Sequence, residues 1–160
     1  MTAKQPVAYR VETQRLVLRC WSPEDAPELR RALDDSDQYL RPWIPFMKDE
    51  PRNLEQTIDW VRMHRSNFDS DQMYRYGVFL RESGELIGEN MLLSRVGPGG
   101  LEVGYWTHVN SSGHGMPPRH PARWFALHLK LQGLTGLKFI VHRKMQPVPQ
   151  FRPSWVSGTK

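Results

Sequence analysis

A strand that runs into a glycine-punctuated loop presents a row of backbone N–H groups to a phosphate, and Leu101–Gly115, LEVGYWTHVNSSGHG, has that layout. Ser112, Gly113, His114 and Gly115 are the candidate anion-binding positions. The plainer reading of the same four residues is an ordinary strand-to-helix turn. A phosphate loop is normally completed by a helix, whose orphan N–H groups and dipole add to the site. Here Met116-Pro117-Pro118-Arg119-His120-Pro121 follows instead, and each of its three prolines biases the preceding residue away from the α region. A helix is expected only from about Ala122 through Leu131. His114 has no His, Cys or carboxylate partners at ligand spacing, so no metal is expected.

The elements that must position this loop read as β-α-α-β-β-β. Arg15–Trp21 is an apolar run flanked by arginines, a largely buried first strand. Ser22-Pro23-Glu24-Asp25 supplies an N-cap, a proline for the first helical position and early acids, which opens a helix through about Leu33, closed by Asp34–Asp37. Tyr39–Met47 is aromatic and stiffened by Pro42 and Pro45, too apolar for a free loop, and it is expected to pack over a cleft. Asn53 and Gln56 form a capping-box pattern, with Leu54, Ile58, Val61 and Phe68 at helical spacing to about Phe68. Strand-like runs follow at Met73–Leu80, Leu86–Ser94 and Leu101–Thr107, separated by Ser83-Gly84 and Gly97-Pro98-Gly99-Gly100.

The 160 residues suit one α+β domain. The single Cys20 excludes an internal disulfide and reads as a small buried hydrophobe on the first strand. The N-terminus MTAKQPVAYR lacks the apolar core of a signal peptide, and no apolar run reaches bilayer length, so a cytoplasmic protein without a membrane partner is expected. The charge is divided unevenly. From Gly113 on there are eight Lys and Arg and no Asp or Glu, while the preceding segment is mildly acidic. The overall +5 therefore says little about partners, and nucleic acid is not expected as one.

The strand order, with Leu101-Glu102-Val103-Gly104-Tyr105-Trp106 before Ser112-Gly113-His114-Gly115, resembles the GNAT N-acetyltransferases, and within them the ribosomal-protein-alanine (Rim-type) branch. Thr13–Arg19 at the start and Leu40-Arg41-Pro42-Trp43 with Pro45 in the middle add to the likeness, which covers about the first 115 residues. Asn110 departs from the family, which favours Gln or Arg three residues before the first glycine. The resemblance implies a GNAT-like mixed sheet flanked by helices. It also implies direct transfer of an acetyl group from acetyl-CoA to a primary amine, either a protein N-terminus or a small molecule. Pantetheine would lie beside the third meander strand, pyrophosphate on the glycine loop, and a strand N–H would polarise the thioester.

Trp106, Thr107 and His108 sit where that strand would meet pantetheine, although Trp106 also reads as core. Glu102 is the candidate general base, against the plainer reading of a solvated strand residue in a salt bridge, and Glu89 is a second. Tyr39, Trp43 and Phe46 would line the acceptor side or form an aromatic lid. The family's proton-donating tyrosine belongs to the region that differs here, and nothing in Gln132–Lys160 carries over to that role.

The genetic code offers a reason for the change after Gly115. Regrouping the codons of Gly115–Phe125 by one base permits Y-A-T-E-A-S-R-A-L-V, similar to the helix after the family's loop, and regrouping Arg143–Ser157 permits E-N-A-A-S-x-x-V-x-x-K-L-G-F. Residues 1–115 are therefore expected to be the N-terminal part of an N-acetyltransferase domain. Residues 116–160 are expected to be a basic tail read out of frame, with weak or lost activity. The alternative is a non-catalytic module whose basic, aromatic tail binds RNA, the ribosome or another acidic surface.

Overall fold

Six strands form one mixed sheet in the computed structural model, which describes residues 7–94, 97, 98 and 100–111 and the backbone of 138–141. Their spatial order follows the chain. β1 (Arg10–Glu12), β2 (Leu16–Cys20), β3 (Tyr74–Leu80), β4 (Leu86–Leu93) and β5 (Gly100–Thr107) are antiparallel neighbours. β6 (Lys138–Val141) runs parallel to β5 and pairs with it along Gly100–Val103. The α+β class expected from the sequence is the one observed. β1 was not anticipated; β6 falls within Leu137–Val141, one of the tail's apolar runs.

Between β2 and β3 the chain is helical. Asp25 accepts the Ser22 N–H at 2.8 Å and grips Arg19 through two 2.7 Å bonds, fixing a single 3-10 turn at Pro23–Asp25. α1 (Ala26–Asp35) continues from it and ends two residues beyond the expected Leu33. Ala26, Leu29, Ala32 and Leu33 make its buried side. The proline-stiffened segment is not one irregular lid: it holds α2 (Asp37–Leu40) and a 3-10 turn at Pro45–Asp49. Arg41 ties the two together, donating to the Met47 carbonyl at 2.8 Å and to the Asp37 carboxylate. α3 (Leu54–Asp69) starts on the expected capping box: Gln56 N–H donates to Asn53 Oδ1 at 2.8 Å, and Asn53 N–H donates back to Gln56 Oε1 at 2.9 Å. Leu54 of that helical pattern is exposed at its first turn rather than packed.

The sheet carries a core on each face. One joins Val17, Trp21, Phe79, Met91 and Trp106 to α1, α2 and Val61 of α3. The other gathers Leu16, Leu18, Tyr76, Val78, Leu92 and Val103 with Phe68. Cys20 is buried in β2, and burial pushes its thiol up. Among the described residues no helix is long and apolar enough to cross a membrane.

At Gly88 of β4 the backbone of β5 leaves no room for a side chain. A Cβ there would stand 2.3 Å from the Trp106 carbonyl oxygen, so any side chain forces the two strands apart. Gly88→Ala is expected to cost about 2 kcal/mol or more and to lower the melting midpoint by roughly 5 °C, read by circular dichroism.

His64 of α3 is buried with its ring 4.2 Å from that of Trp60. Burial, then the charges of Arg75 and Arg52, pull its imidazole down to about 3. An unfolded chain's histidine titrates near 6.5, so unfolding takes up a proton in the window between these values, and stability falls as the pH drops through it. The native chain is expected to lose roughly 2 kcal/mol between pH 7 and pH 5. His64→Phe should show most of that loss abolished; an unchanged pH dependence would remove His64 as its source.

Candidate active site

β5 is the strand on which the sequence reading placed its site, and its hydrogen-bond register decides which of its groups are available. The register pairs Gly88 with Thr107 and Glu89 with Trp106, and the His108 N–H donates to the Ile87 carbonyl at 2.9 Å. In an antiparallel ladder the direction of the N–H alternates. The N–H groups of Trp106 and His108 therefore turn toward β4, and those of Tyr105 and Thr107 turn to the outer edge. β6 covers that edge only along Gly100–Val103, and among the described residues no strand pairs with it from Gly104 to Thr107. These two N–H groups, about 6.6 Å apart, thus face the outer side of β5 beyond its pairing with β6.

The corner between α1 and α2 closes the far end of this edge. Ser36 is fully buried, and its Oγ accepts the Val109 N–H at 3.0 Å. His108 Nε2 lies 3.4 Å from Asp35 Oδ2, and His108 Nδ1 accepts the Asn110 N–H at 3.1 Å. Tyr39 of α2 is half-buried and hydrogen-bonded to the Thr107 side chain; burial raises its phenol.

Of the other acceptor-side candidates, Trp43 is 50% exposed and lines an open pocket of about 390 Å³ with Arg41, Pro42, Ile44, Pro45 and Lys48. Phe46 turns inward instead, with its ring centroid 6.2 Å from that of Trp60 and the Arg75 guanidinium 5.5 Å over it. Arg75 also lies 4.9 Å from the Trp60 ring.

Glu89 is wholly buried at the centre of this face. Its Oε1 accepts Trp21 Nε1–H at 2.8 Å and its Oε2 accepts Trp106 Nε1–H at 2.8 Å, while Arg75 Nη1 donates to both oxygens at 3.1 and 2.9 Å. A carboxylate so engaged and so far from solvent is an anchor for the sheet, not a group placed to take a proton from a substrate. Glu102, by contrast, is half-buried on β5, paired in register with Leu93 and Ile140. It stands three residues from Tyr105, about 10 Å along the strand.

The structure therefore brings Tyr39, Thr107 and His108 together at the outer edge of β5 and sets Trp43 apart from them. Trp106 contributes its indole to the Glu89 anchor. Ser112, Gly113, His114 and Gly115, with the helix expected over Ala122–Leu131, lie outside the described residues. Sequence reasoning missed Arg75, Trp21 and Ser36. A usable signal existed for the first: Arg75 sits inside an apolar strand, and so does Glu89 on the next one, a pattern that strand alternation alone does not explain. Among the described residues no three His, Cys, Asp or Glu side chains gather as metal ligands would.

The profile of the acetyltransferase (GNAT) domain matches residues 15–142. The match runs on beyond Gly115, where the sequence reading ended the resemblance. No curated protein matches the chain. Among solved structures, RimL, the ribosomal L7/L12 α-N-protein acetyltransferase in complex with coenzyme A, superposes with a TM-score of 0.65 at 16% identity, covering 84% of this chain and 72% of that one. The Salmonella typhimurium acetyltransferase that modifies the N-terminal serine of ribosomal protein L7/L12 gives 0.60 at 19%, covering 81% and 71%. The microcin C7 self-immunity acetyltransferase MccE, in complex with acetyl-CoA and AMP, gives 0.62 at 14%, covering 81% and 69%. At these identities the likeness is one of fold.

Proposed function

The chain belongs to the GNAT acetyltransferase family, and we propose that it moves an acetyl group from acetyl-CoA to a primary amine, a protein N-terminus or a small-molecule amine. The observation that carries this reading is the outer edge of β5. An extended pantetheine can lie along β5 there, beyond its pairing with β6, with the outward-facing N–H groups turned toward it. Tyr105 N–H, the first beyond the end of β6, receives the thioester carbonyl and polarises it, and Thr107 N–H receives the first amide beyond the sulfur. Trp106 and His108 hold the strand in register from its other side. The pyrophosphate falls to Ser112, Gly113, His114 and Gly115. The attacking amine sheds its proton to Glu102 through water, since about 10 Å separates that carboxylate from Tyr105. Tyr39 and the Trp43 pocket lie on the acceptor side, and RimL and the Salmonella enzyme supply the precedent of a protein N-terminus as acceptor.

Mass spectrometry of peptides with a free α-amine, incubated with the chain and acetyl-CoA, tests this reading. The expected result is slow addition of one acetyl group to the α-amine. Binding of acetyl-CoA without any such product would reduce the chain to an acyl-CoA-binding module.

Residues 1–115 are, on this reading, the N-terminal part of the acetyltransferase domain, and residues 116–160 are a tail translated in a shifted frame. The acid-free composition and the code rereading support the shift; the family match across residues 116–142 competes with it. The codons decide: an AGA or AGG at Arg119 and an AGT or AGC at Ser154 are required, and any other codon at either position overturns the shift.

A further inference from the structure

The Arg75–Glu89 contact uses only part of the guanidinium. Both Glu89 oxygens accept from Nη1, at 3.1 and 2.9 Å, and among the described residues nothing accepts from Nη2. Nε is buried without a hydrogen-bond partner. Nε–H and one Nη2–H point the same way, and together they are the edge of a guanidinium that matches the two oxygens of a carboxylate. A second buried orphan stands in the same cluster: His64 has no partner for Nδ1, and it and Arg75 are each 8% exposed. The Trp60 ring joins the two, 4.2 Å from the His64 ring and 4.9 Å from the Arg75 guanidinium, which also lies 5.5 Å over Phe46. Buried donors are ordinarily satisfied, so a vacant fork at this depth calls for a guest. The charge calls for the same thing. Arg30, Arg52 and Arg75, all largely buried, face only two buried carboxylates, Glu50 and Glu89. Asp34 and Asp49, which also pair with Arg30 and Arg52, are more than half exposed and screened by water. One positive charge is thus in excess in the interior of this face.

We propose that the Nε/Nη2 edge of Arg75 is a binding site for a single carboxylate group. One oxygen takes Nε–H and the other takes Nη2–H, while His64, as its Nδ1–H tautomer, adds a third donor. The guest's one negative charge cancels the excess; a phosphate dianion overshoots it and an uncharged guest leaves it. Phe46 and Trp60 are half-buried, and Phe46 belongs to the turn whose Pro45 and Lys48 line the Trp43 pocket. The carboxylate enters from that side as the Phe46 ring turns away, and the carbon stem behind it lies against the two rings. Two sources share this chemistry: a small free carboxylate, and an Asp or Glu side chain of the acceptor. The site itself does not depend on the acetyl-transfer reading; the acceptor as its source does.

The experiment uses the whole chain at neutral pH and titrates it with sodium acetate, with sodium chloride at equal ionic strength as the comparison. The Arg75 Nε–H resonance, resolved by nitrogen-15 correlation spectroscopy, is expected to move downfield with acetate and to saturate with a half-point in the millimolar range, while chloride leaves it in place. The melting midpoint should rise with acetate over the same range, as mass action requires. Arg75→Lys keeps a positive charge against Glu89 but removes the fork, and it should lose both responses; should it fail to fold, the native resonance alone decides. An Nε–H resonance that ignores acetate, or that chloride moves equally, overturns the site. The second arm compares acetylation of two peptides with a free α-amine that differ only in a Glu or a Gln near that amine. A KM at least about tenfold lower for the Glu peptide, raised by added acetate, makes the acceptor the source. Equal KM values beside a positive acetate titration make it a free carboxylate. Absence of turnover with either peptide overturns the acetyl-transfer reading alone, and the acetate titration still decides the site.

Discussion

Glu89→Ala is expected to abolish cooperative melting of this domain at 37 °C. The substitution removes one side chain but strands three others: the Arg75 guanidinium, one-tenth exposed, and the indole N–H groups of Trp21 and Trp106, each 1% exposed. Breaking a buried ion pair from one side costs about 3–5 kcal/mol, and each unsatisfied buried donor adds about 1–3. Their sum rivals the whole stability of an ordinary domain, about 5–15 kcal/mol. Glu89→Gln keeps the shape and part of the hydrogen bonding, so it should remain folded with a midpoint roughly 10 °C lower. Adding Arg75→Met to Glu89→Gln should recover part of that loss, because no unpaired charge is left behind. A Glu89→Ala protein that melts like the native one would contradict the anchoring role drawn here.

A chain restored to the second reading frame after Gly115 is expected to exceed the present one in both stability and turnover. Met116–Pro121 places three prolines where a phosphate loop needs helix N–H groups, and the tail that follows carries no acid to balance its eight basic residues. β6 supplies only four residues of edge pairing to β5. The restored chain should melt roughly 10 °C higher and acetylate an α-amine at least about 100-fold faster, the scale on which preorganised electrostatic contacts act. Equal melting temperatures would refute the structural half of this account, and equal turnover the catalytic half.

The parts of the fold that were legible in the sequence are those written in local code. The Asn53–Gln56 capping box opened α3 where expected, and the Ser22–Asp25 signals placed the start of the first helical segment. Apolar strands with turn residues between them located β2 to β5 within a residue or two. β1 was missed because three residues carry no period. Glu89 and Arg75 were not seen as a pair because a charge within a strand ordinarily signals a solvated face, and only the register across β3 and β4 shows that each neutralises the other. The sequence put its candidate cosubstrate contacts at Trp106–His108, the end of β5 and the residue after it. Which N–H groups of this segment face outward depends on pairing with β4, a long-range fact: those of Tyr105 and Thr107 do, and those of Trp106 and His108 do not. The contact between Tyr39 and Thr107 is likewise tertiary, joining residues 68 positions apart through the corner at Ser36.

Calorimetric titration of acetyl-CoA into the 160-residue chain tests the central claim most directly. Binding of one equivalent in the micromolar range, weakened by Thr107→Pro, which deletes an outward N–H, is the predicted result. Absence of binding heat from a chain shown to be folded by circular dichroism would contradict it, because the outer edge of β5 would then hold no cosubstrate.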